Sequence, residues 1–258
     1  MSERIILHSD ANCFYASVEM LLNPDLRGKA VAVCGSTEDR HGIVLAKSEL
    51  AKKAGVKTGQ ANWEARQACP GLIVVPPQYD QYCKFSKLLR NIYLRYTDLV
   101  EPYGMDECWL DVTHSGRIHD DGVKIAEEIR AAVKEELGLT VSIGVSFNKI
   151  FAKLGSDMKK PDAITILPQN DWQSRIWPLP VSELLFVGHA TTRKLISRNV
   201  LTIVTTSNDN RRTYNQNVTS TIQVQQMVVR DEQDIRSLAV EIATLTRRQQ
   251  RGKGLRFA

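Results

Sequence analysis

The chain has 258 residues, of which 43% are hydrophobic and 24% are charged. This composition supports at least one substantial hydrophobic core and excludes a chain that is disordered throughout. Lys and Arg outnumber Asp and Glu by 34 to 29, and the resulting net charge of +5 favours an anionic partner without identifying it.

The cysteines and the amino terminus bear on the compartment. The five cysteines form no CxxC pair and show no zinc-ligand spacing, which predicts a reducing environment. The first residues, MSERIILHSD, carry charges where a signal peptide needs an apolar stretch, and no segment has the ~18 apolar residues of a membrane span. We therefore expect a soluble, cytoplasmic, monomeric protein without membrane contact.

Short β-prone runs alternate with helical stretches in the first part of the chain. The pattern predicts strands over residues 5–7, 30–33, 42–46 and 72–75, and helices over residues 13–21, 48–54, 62–69 and 79–96. Gly55 and Gly59 are natural stop and turn residues after the second of these helices.

The segment EPYGMDECWLDV, residues 101–112, has two β-prone arms around Gly104, which predicts a tight hairpin. A helix over residues 122–137 and a strand over residues 139–145 follow. Strand, helix, hairpin, helix and strand in this order predict an α+β fold with the ferredoxin-like split arrangement.

Beyond Pro161 the composition shifts to short helices and loops. Residues 182–200 predict two small helices joined by a glycine turn, residues 204–226 a linker, and residues 232–248 an amphipathic segment. The end of the chain, TRRQQRGKGLRF, has five cations and no anion. It is either a polyanion contact or a solvated tail.

Three acidic residues lie where neighbouring strands could bring them together. Asp10 ends the first predicted strand, while Asp106 and Glu107 lie at the hairpin. Clustered carboxylates repel one another unless a cation lies between them, and oxygen ligands favour Mg²⁺ or Mn²⁺. Two such ions suit phosphoryl or nucleotidyl transfer. The pattern alone does not separate a polymerase from a nucleotide cyclase, and Asp111 is interpreted as a structural acid.

Two segments carry a family resemblance: SDANCFYASVE at 9–19 and YGMDECWLD at 103–111 closely resemble the catalytic motifs of Y-family DNA polymerases, DNA polymerase IV type. The resemblance continues through GVKTG at 55–59 and GVSFNKIFAKLGSDMKKP at 144–161. It implies a palm (1–28 and 77–165), inserted fingers (29–76), a helical thumb with a helix-hairpin-helix (166–205), and a linker with a partial little finger (206–258).

The resemblance also implies site residues. Asp10, Asp106 and Glu107 would be catalytic and, with the carbonyl of Ala11, would bind two Mg²⁺ ions for which Mn²⁺ can substitute. Tyr15 would be the steric gate that excludes a ribose 2′-hydroxyl.

Further residues would contact the nucleotide: Phe14 would support the sugar, and Lys160 and Lys52 would contact the triphosphate. Relatives usually have Thr, Tyr and Arg where this chain has Ala46, Glu49 and Lys52. We expect weaker triphosphate binding as a result, unless Ser48 substitutes for the missing hydroxyl.

The segment LLFVGHATTRKLI, residues 184–196, resembles the helix-hairpin-helix of the thumb. Gly188 would hold a DNA phosphate at the glycine turn, supported by Arg193 and Lys194. The implied partners are primer-template DNA, deoxynucleoside triphosphates and, in a full-length form, a sliding clamp.

Full-length members of the family are longer. Either the protein itself is truncated, or parts of it are absent from this sequence. The main hypothesis is an error-prone translesion DNA polymerase. The alternatives are a catalytically weak or inactive DNA-binding protein, or a nucleotide cyclase.

Overall fold

The computed structural model describes residues 4–35, 42–115 and 121–203. The chain divides into two compact units, one ending at Gln169 and one beginning at Asn170. The predicted linker, the amphipathic segment 232–248, the partial little finger and the basic end lie outside the described residues. Within the described ranges, no helix combines the length and apolar character needed to cross a membrane.

The first unit alternates strands and helices. Its strands are β1 (Ile6–Ala11), β2 (Val31–Cys34), β3 (Val44–Lys47), β4 (Ile73–Val75), β5 (Val100–Tyr103), β6 (Glu107–Asp111), β7 (Val141–Ser146) and β8 (Ile164–Leu167). Its helices are α1 (Phe14–Leu22), α2 (Glu49–Lys53), α3 (Asn62–Ala68), α4 (Tyr79–Tyr93), α5 (Gly122–Leu137) and α6 (Lys149–Met158).

The larger sheet has the strand order β5-β6-β1-β7-β8. Strand β1 is antiparallel to both β6 and β7, and β8 runs parallel to β7. The four strands β7-β1-β6-β5 reproduce the predicted ferredoxin-like arrangement, and β8 extends the sheet by one strand. The predicted α+β fold is therefore confirmed.

Alternation along β1 sends its side chains to two different faces of the sheet. Leu7 and Ala11 join the main hydrophobic cluster, which also contains residues of α1, α4 and α5. His8 and Asp10 point the other way, toward Ser156 and Lys153 of α6. The acidic site consequently lies on the sheet face that α6 covers.

Gly144 allows α6 to lie directly on that face. A Cβ at this position would meet the carbonyl oxygen of Ala152 at 1.9 Å and the amide nitrogen of Ser156 at 2.6 Å. Both atoms belong to the helix backbone, so a side chain at residue 144 forces α6 away from the sheet. The glycine therefore sets the distance between α6 and the sheet, and with it the position of the polar side chains of α6.

The region predicted as fingers contains a second, smaller sheet of order β3-β2-β4. Its own cluster is formed by Val44, Ala51, Val56, Ala65 and neighbouring apolar residues. Ser48 begins α2: its buried hydroxyl accepts hydrogen bonds from the backbone N–H groups of Ala51 and Val31. The side chain thus caps the helix and ties it to β2.

The second unit is helical in its described part, with α7 (Trp172–Ile176) and α8 (His189–Ile196) separated by a short 3₁₀ turn (Val181–Glu183). Ile176 and Val181 are buried.

Several predicted boundaries differ from the structure. The helix predicted over 79–96 ends at Tyr93, and the strand predicted over 139–145 lies at Val141–Ser146. No element was predicted at α6 or β8. Helix α6 contains Gly155 and Ser156, which weaken a helical pattern, and β8 has only four residues, too few for periodicity to identify it.

Candidate active site

Strand pairing brings the three predicted carboxylates to one place. Asp10 on β1 lies opposite Glu107 on β6, and the Ala11 amide donates a hydrogen bond to the Asp106 carbonyl at 3.0 Å. Asp106 occupies the turn between β5 and β6, where Gly104 has a φ of +76° that favours glycine. The sheet therefore holds the three acids at the same end of adjacent strands.

The three acids have different electrostatic environments. Burial, together with the charges of Asp10 and Glu107, raises the pKa of Asp106 to about 6. Burial also acts to raise the pKa of Glu107, but its contacts with His8 and Lys153 outweigh burial and lower that pKa to about 2. Asp106 thus lies among negative charges that disfavour its ionised form, whereas the surroundings of Glu107 favour its ionised form.

Two lysines form ion pairs with the acids of this cluster. The Lys153 Nζ lies 2.7 Å from Glu107 Oε2 and 3.2 Å from both Asp10 Oδ2 and Asp157 Oδ2. The Lys160 Nζ lies 2.6 Å from Asp10 Oδ2 and 2.9 Å from Asp157 Oδ1. The predicted triphosphate cation, Lys160, therefore contacts a predicted metal ligand.

Sequence analysis missed Lys153 and Asp157. Both lie on α6, four residues apart, so they share one face of that helix. The spacing of Lys153, Asp157 and Lys160 would have indicated a polar face, had α6 been predicted as a helix.

His8 is a second residue that the sequence analysis missed. Its ring is fully buried, and Nδ1 lies 2.8 Å from the Ser156 hydroxyl. That hydroxyl donates its proton to the Lys153 carbonyl at 2.7 Å, so His8 Nδ1 must be the donor to Ser156. His8 Nε2 then faces Glu107 Oε2 at 3.1 Å, and burial lowers the pKa of His8.

The donor set suits a hard divalent cation in its chemistry, since it consists of carboxylate oxygens. Among the described residues, the side chains as they stand form no group of three acids, His or Cys arranged to hold a metal ion. The ammonium groups of Lys153 and Lys160 lie against carboxylate oxygens of Asp10 and Glu107 that an ion would use. An ion could bind only after these ammonium groups withdraw.

Tyr15 and Phe14 begin α1 beside this cluster. Tyr15 is partly exposed. Its ring stacks on the ring of Tyr82, with the centroids 4.2 Å apart and an angle of 9° between the planes. The Tyr15 hydroxyl lies 3.5 Å from the Met105 sulfur. Phe14 is only 2% exposed and belongs to the main core. Its ring supports Tyr15 from a centroid distance of 5.8 Å, so its predicted effect on the sugar is indirect.

The predicted finger residues differ in their surroundings. The geometry argues against a nucleotide contact by Ser48, because its hydroxyl is buried and engaged in capping α2. Lys52 is half exposed, and its Nζ lies 3.8 Å from Glu49 Oε1. Glu49 also accepts a hydrogen bond from the Cys13 thiol at 3.2 Å. Burial, together with this hydrogen bond, raises the pKa of the thiol to about 12.

In the second unit, Gly188 is the N-cap residue of α8. Its φ of −75° does not require glycine, but among the described residues a Cβ there would meet no atom within 4 Å, so this part of the chain leaves the helix start open. Arg193 and Lys194 lie in the last turn of α8, where cations complement the helix dipole.

Comparison with known proteins agrees with this arrangement. Residues 9–157 match the model of the impB/mucB/samB family. DNA polymerase IV of Acetivibrio thermocellus is 61% identical over 201 residues, covering 78% of this chain and 50% of the relative. DNA polymerase IV 1 of Bacillus subtilis is 46% identical over 203 residues, covering 78% and 48%. The chain thus spans about half the length of these curated relatives.

Solved structures show the same likeness. An insertion ternary complex of Dbh DNA polymerase superposes with a TM-score of 0.73 at 31% identity, covering 77% of this chain and 59% of the other. DinB from Sulfolobus solfataricus superposes with a TM-score of 0.76 at 27% identity, covering 86% and 66%. The predicted resemblance to Y-family DNA polymerases is confirmed, and the chain belongs to the impB/mucB/samB family.

Proposed function

We propose that this chain is the catalytic part of a translesion DNA polymerase, which joins a deoxynucleotide to a primer 3′-hydroxyl with release of pyrophosphate. The observation that carries the proposal is the convergence of Asp10, Asp106 and Glu107 at one end of the ferredoxin-like sheet. Likeness to relatives named DNA polymerase IV supports it.

The three carboxylates, with the Ala11 carbonyl, would hold two Mg²⁺ ions, for which Mn²⁺ could substitute. Bound ions would supply charge neutralisation and Lewis acidity for in-line displacement at phosphorus. The Lys153 ammonium keeps Glu107 ionised and orients it toward this position. Lys160 is close enough to exchange its contact with Asp10 for a phosphate oxygen of an incoming nucleotide.

Substrate selection would begin at Tyr15, whose ring would occupy the space of a 2′-hydroxyl. Lys52 would add a second cation for the triphosphate, although its ion pair with Glu49 competes for that role. Ala46 and Gly59 are small and would leave room around the templating base, which favours copying of damaged templates with low fidelity.

DNA contacts would be mainly to phosphates and therefore salt-dependent and largely independent of sequence. The open helix start at Gly188, with Arg193 and Lys194, would provide one such contact. Clamp binding, a monomeric state and a cytoplasmic location stay predictions.

A primer-extension assay with Mg²⁺ tests the proposal. Asp106→Ala should lower extension by at least about a thousandfold, because the variant loses a ligand and its charge. Asp111→Asn is the matched control, since Asp111 lies at the far end of β6 and bonds to Arg4 and Thr113. Equal extension by Asp106→Ala and the unmodified chain would refute the site assignment.

The same assay decides between the hypotheses left open by the sequence. DNA binding without incorporation, even with Mn²⁺ and abundant nucleotide, would support the catalytically inactive alternative. The comparisons give no support to the cyclase, because the relatives are named as polymerases.

A further inference from the structure

A buried acid and a buried tyrosine lie directly behind the predicted gate residue. Tyr82 on α4 is fully buried, and its ring stacks on Tyr15 at a centroid distance of 4.2 Å. The Tyr82 hydroxyl donates a hydrogen bond of 2.5 Å to Glu19 Oε1, and Gln78 Nε2 donates one of 2.7 Å to Glu19 Oε2. Both carboxylate oxygens of Glu19 are therefore engaged.

The helices place these groups in line. Tyr15 and Glu19 are four residues apart on α1 and share one of its faces. Tyr79 and Tyr82 are three residues apart on α4, and the Tyr79 ring lies nearly perpendicular to the rings of Tyr15 and Tyr82, at centroid distances of 6.1 Å and 5.8 Å. One side of the Tyr15 ring is thus backed by aromatic rings, and the ring as a whole stays partly exposed.

Glu19 has only 3% relative exposure, and both of its named partners are neutral donors. Removing a carboxylate from water is costly even when it accepts hydrogen bonds. Apolar residues of similar size at positions 19 and 82 would avoid this cost. What such residues would lack is the hydrogen bond that fixes the orientation of the Tyr82 ring.

We propose that Glu19 and Tyr82 are positioning residues for sugar selection: Glu19 locks the Tyr82 ring, and that ring prevents Tyr15 from yielding to a ribose 2′-hydroxyl. The inference rests on the proposed polymerase function and on Tyr15 as its gate. A gate excludes a substrate only as firmly as its own position is held, because a ring that can move admits the larger sugar. Neither Glu19 nor Tyr82 needs to touch the nucleotide.

The test measures kcat/KM of the full chain for a deoxynucleotide and for the matching ribonucleotide, and the ratio of the two is the readout. Tyr82→Leu should lower this ratio by at least about tenfold, with a smaller loss of deoxynucleotide incorporation. Tyr82→Phe keeps the stacked ring but loses the bond to Glu19, and should lower the ratio by about two- to fivefold.

Variants at residue 19 separate orientation from packing. Glu19→Ala should lower the ratio as Tyr82→Phe does, whereas Glu19→Gln keeps an acceptor oxygen and should restore most of it. Tyr93→Phe is the matched control, because it removes another buried tyrosine hydroxyl of α4, one that bonds to Ser9 at 2.9 Å. It should leave the ratio unchanged.

A double-mutant comparison shows whether Tyr82 acts through Tyr15. In a Tyr15→Ala background, Tyr82→Leu should cause no further loss of sugar discrimination. An independent, additive loss would overturn the proposed route.

An unchanged ratio in active Tyr82→Leu would overturn the inference alone. If Tyr82→Leu does not fold, unchanged ratios in both Tyr82→Phe and Glu19→Ala would likewise overturn the inference and leave the proposed function standing. Failure of the unmodified chain to incorporate any deoxynucleotide would instead overturn the proposed function, and the inference with it.

Discussion

The positive charge of Lys153 should stabilise the folded chain and oppose the binding of a metal ion at the candidate site. The Lys153 ammonium lies within 3.2 Å of oxygens from Asp10, Glu107 and Asp157, and its own pKa is raised because these carboxylates outweigh the opposing effect of burial. It compensates the charge that a metal ion would also compensate. Lysine and metal should therefore compete for the same acids.

Lys153→Met should lower the free energy of unfolding by about 3 kcal/mol in the absence of divalent ions, because the carboxylates lose a buried partner. The same variant should gain more thermal stability from Mg²⁺ than the unmodified chain does. Thermal melts with and without Mg²⁺ measure both effects.

Lys149→Met is the control for that experiment, since Lys149 also lies on α6 but pairs with the exposed Glu101. We expect its melting temperature to respond to Mg²⁺ as in the unmodified chain. An equal Mg²⁺ response in Lys153→Met would contradict the competition.

Asp111 is a structural acid by its contacts, as interpreted from the sequence. Burial acts to raise its pKa, but hydrogen bonds from Thr113 and Arg4 outweigh burial and lower it below the ordinary value of 3.8. A lowered pKa in the folded state adds stability above the unfolded pKa, and that stability is lost as pH falls through the folded pKa.

Asp111→Asn should therefore destabilise the chain by about 1 kcal/mol at pH 7. The difference from the unmodified chain should shrink below about pH 4, as the aspartate in the unfolded chain becomes protonated. Urea titrations at several pH values measure it, and a difference that does not depend on pH would contradict the assignment.

At the scale of elements, the seating of α6 on the sheet decides which side chains reach Asp10 and Glu107. Gly144 permits this contact, because its missing Cβ leaves space for the backbone of Ala152 and Ser156. Helix α5 and the hairpin were predicted closely, since each has a long amphipathic pattern or a glycine turn. Helix α6 was not, because Gly155 and Ser156 weaken its helical pattern.

Gly144→Ala should destabilise the chain by about 3 kcal/mol or more, because backbone atoms rather than a flexible side chain must move. Gly71→Ala is the control, since a Cβ there meets no atom of residues 4–35, 42–115 or 121–203 within 4 Å. Chemical denaturation compares the two variants, and similar stabilities would show that α6 is not held by this contact.

Ser48→Ala tests the structural role of a residue first predicted to bind nucleotide. Loss of the cap on α2 and of the bond from the Val31 amide should cost about 1–2 kcal/mol of stability. The KM for deoxynucleotide should stay within about twofold, since the buried hydroxyl has no remaining role for the triphosphate. A large rise in KM with unchanged stability would restore the original prediction.

At the scale of the whole molecule, the chain spans about half the length of its curated relatives, and the basic end lies outside the described residues. Its charge still gives a prediction. Each cation that neutralises a DNA phosphate steepens the dependence of log K on log salt by about 0.9.

Replacing Arg247, Arg248 and Arg251 by Gln should reduce that slope by up to about 2.7 if all three contact phosphates. Replacing the same residues by Lys should preserve it. Titrations of labelled DNA over a range of salt measure the slope, and an unchanged slope in the Gln variant would identify a solvated tail.

The sequence by itself determined the fold class, the family, and the acids at the ends of two strands. These follow from local patterns: periodicity, glycine turns and contiguous motifs report on residues that are near one another in the chain. It also placed Tyr15 near the start of a predicted helix, while the role of Tyr15 as a gate came from the family resemblance.

Only the tertiary structure decided what surrounds these residues. Lys153 reaches Glu107 because α6 packs on one face of the sheet, and His8 reaches it because β1 pairs with β6. Tyr82 and Glu19 reach one another because α4 packs against α1. The physical reason is that ion pairs, ring stacking and burial depend on distances in space, and residues far apart in the chain leave no local signal of their contact.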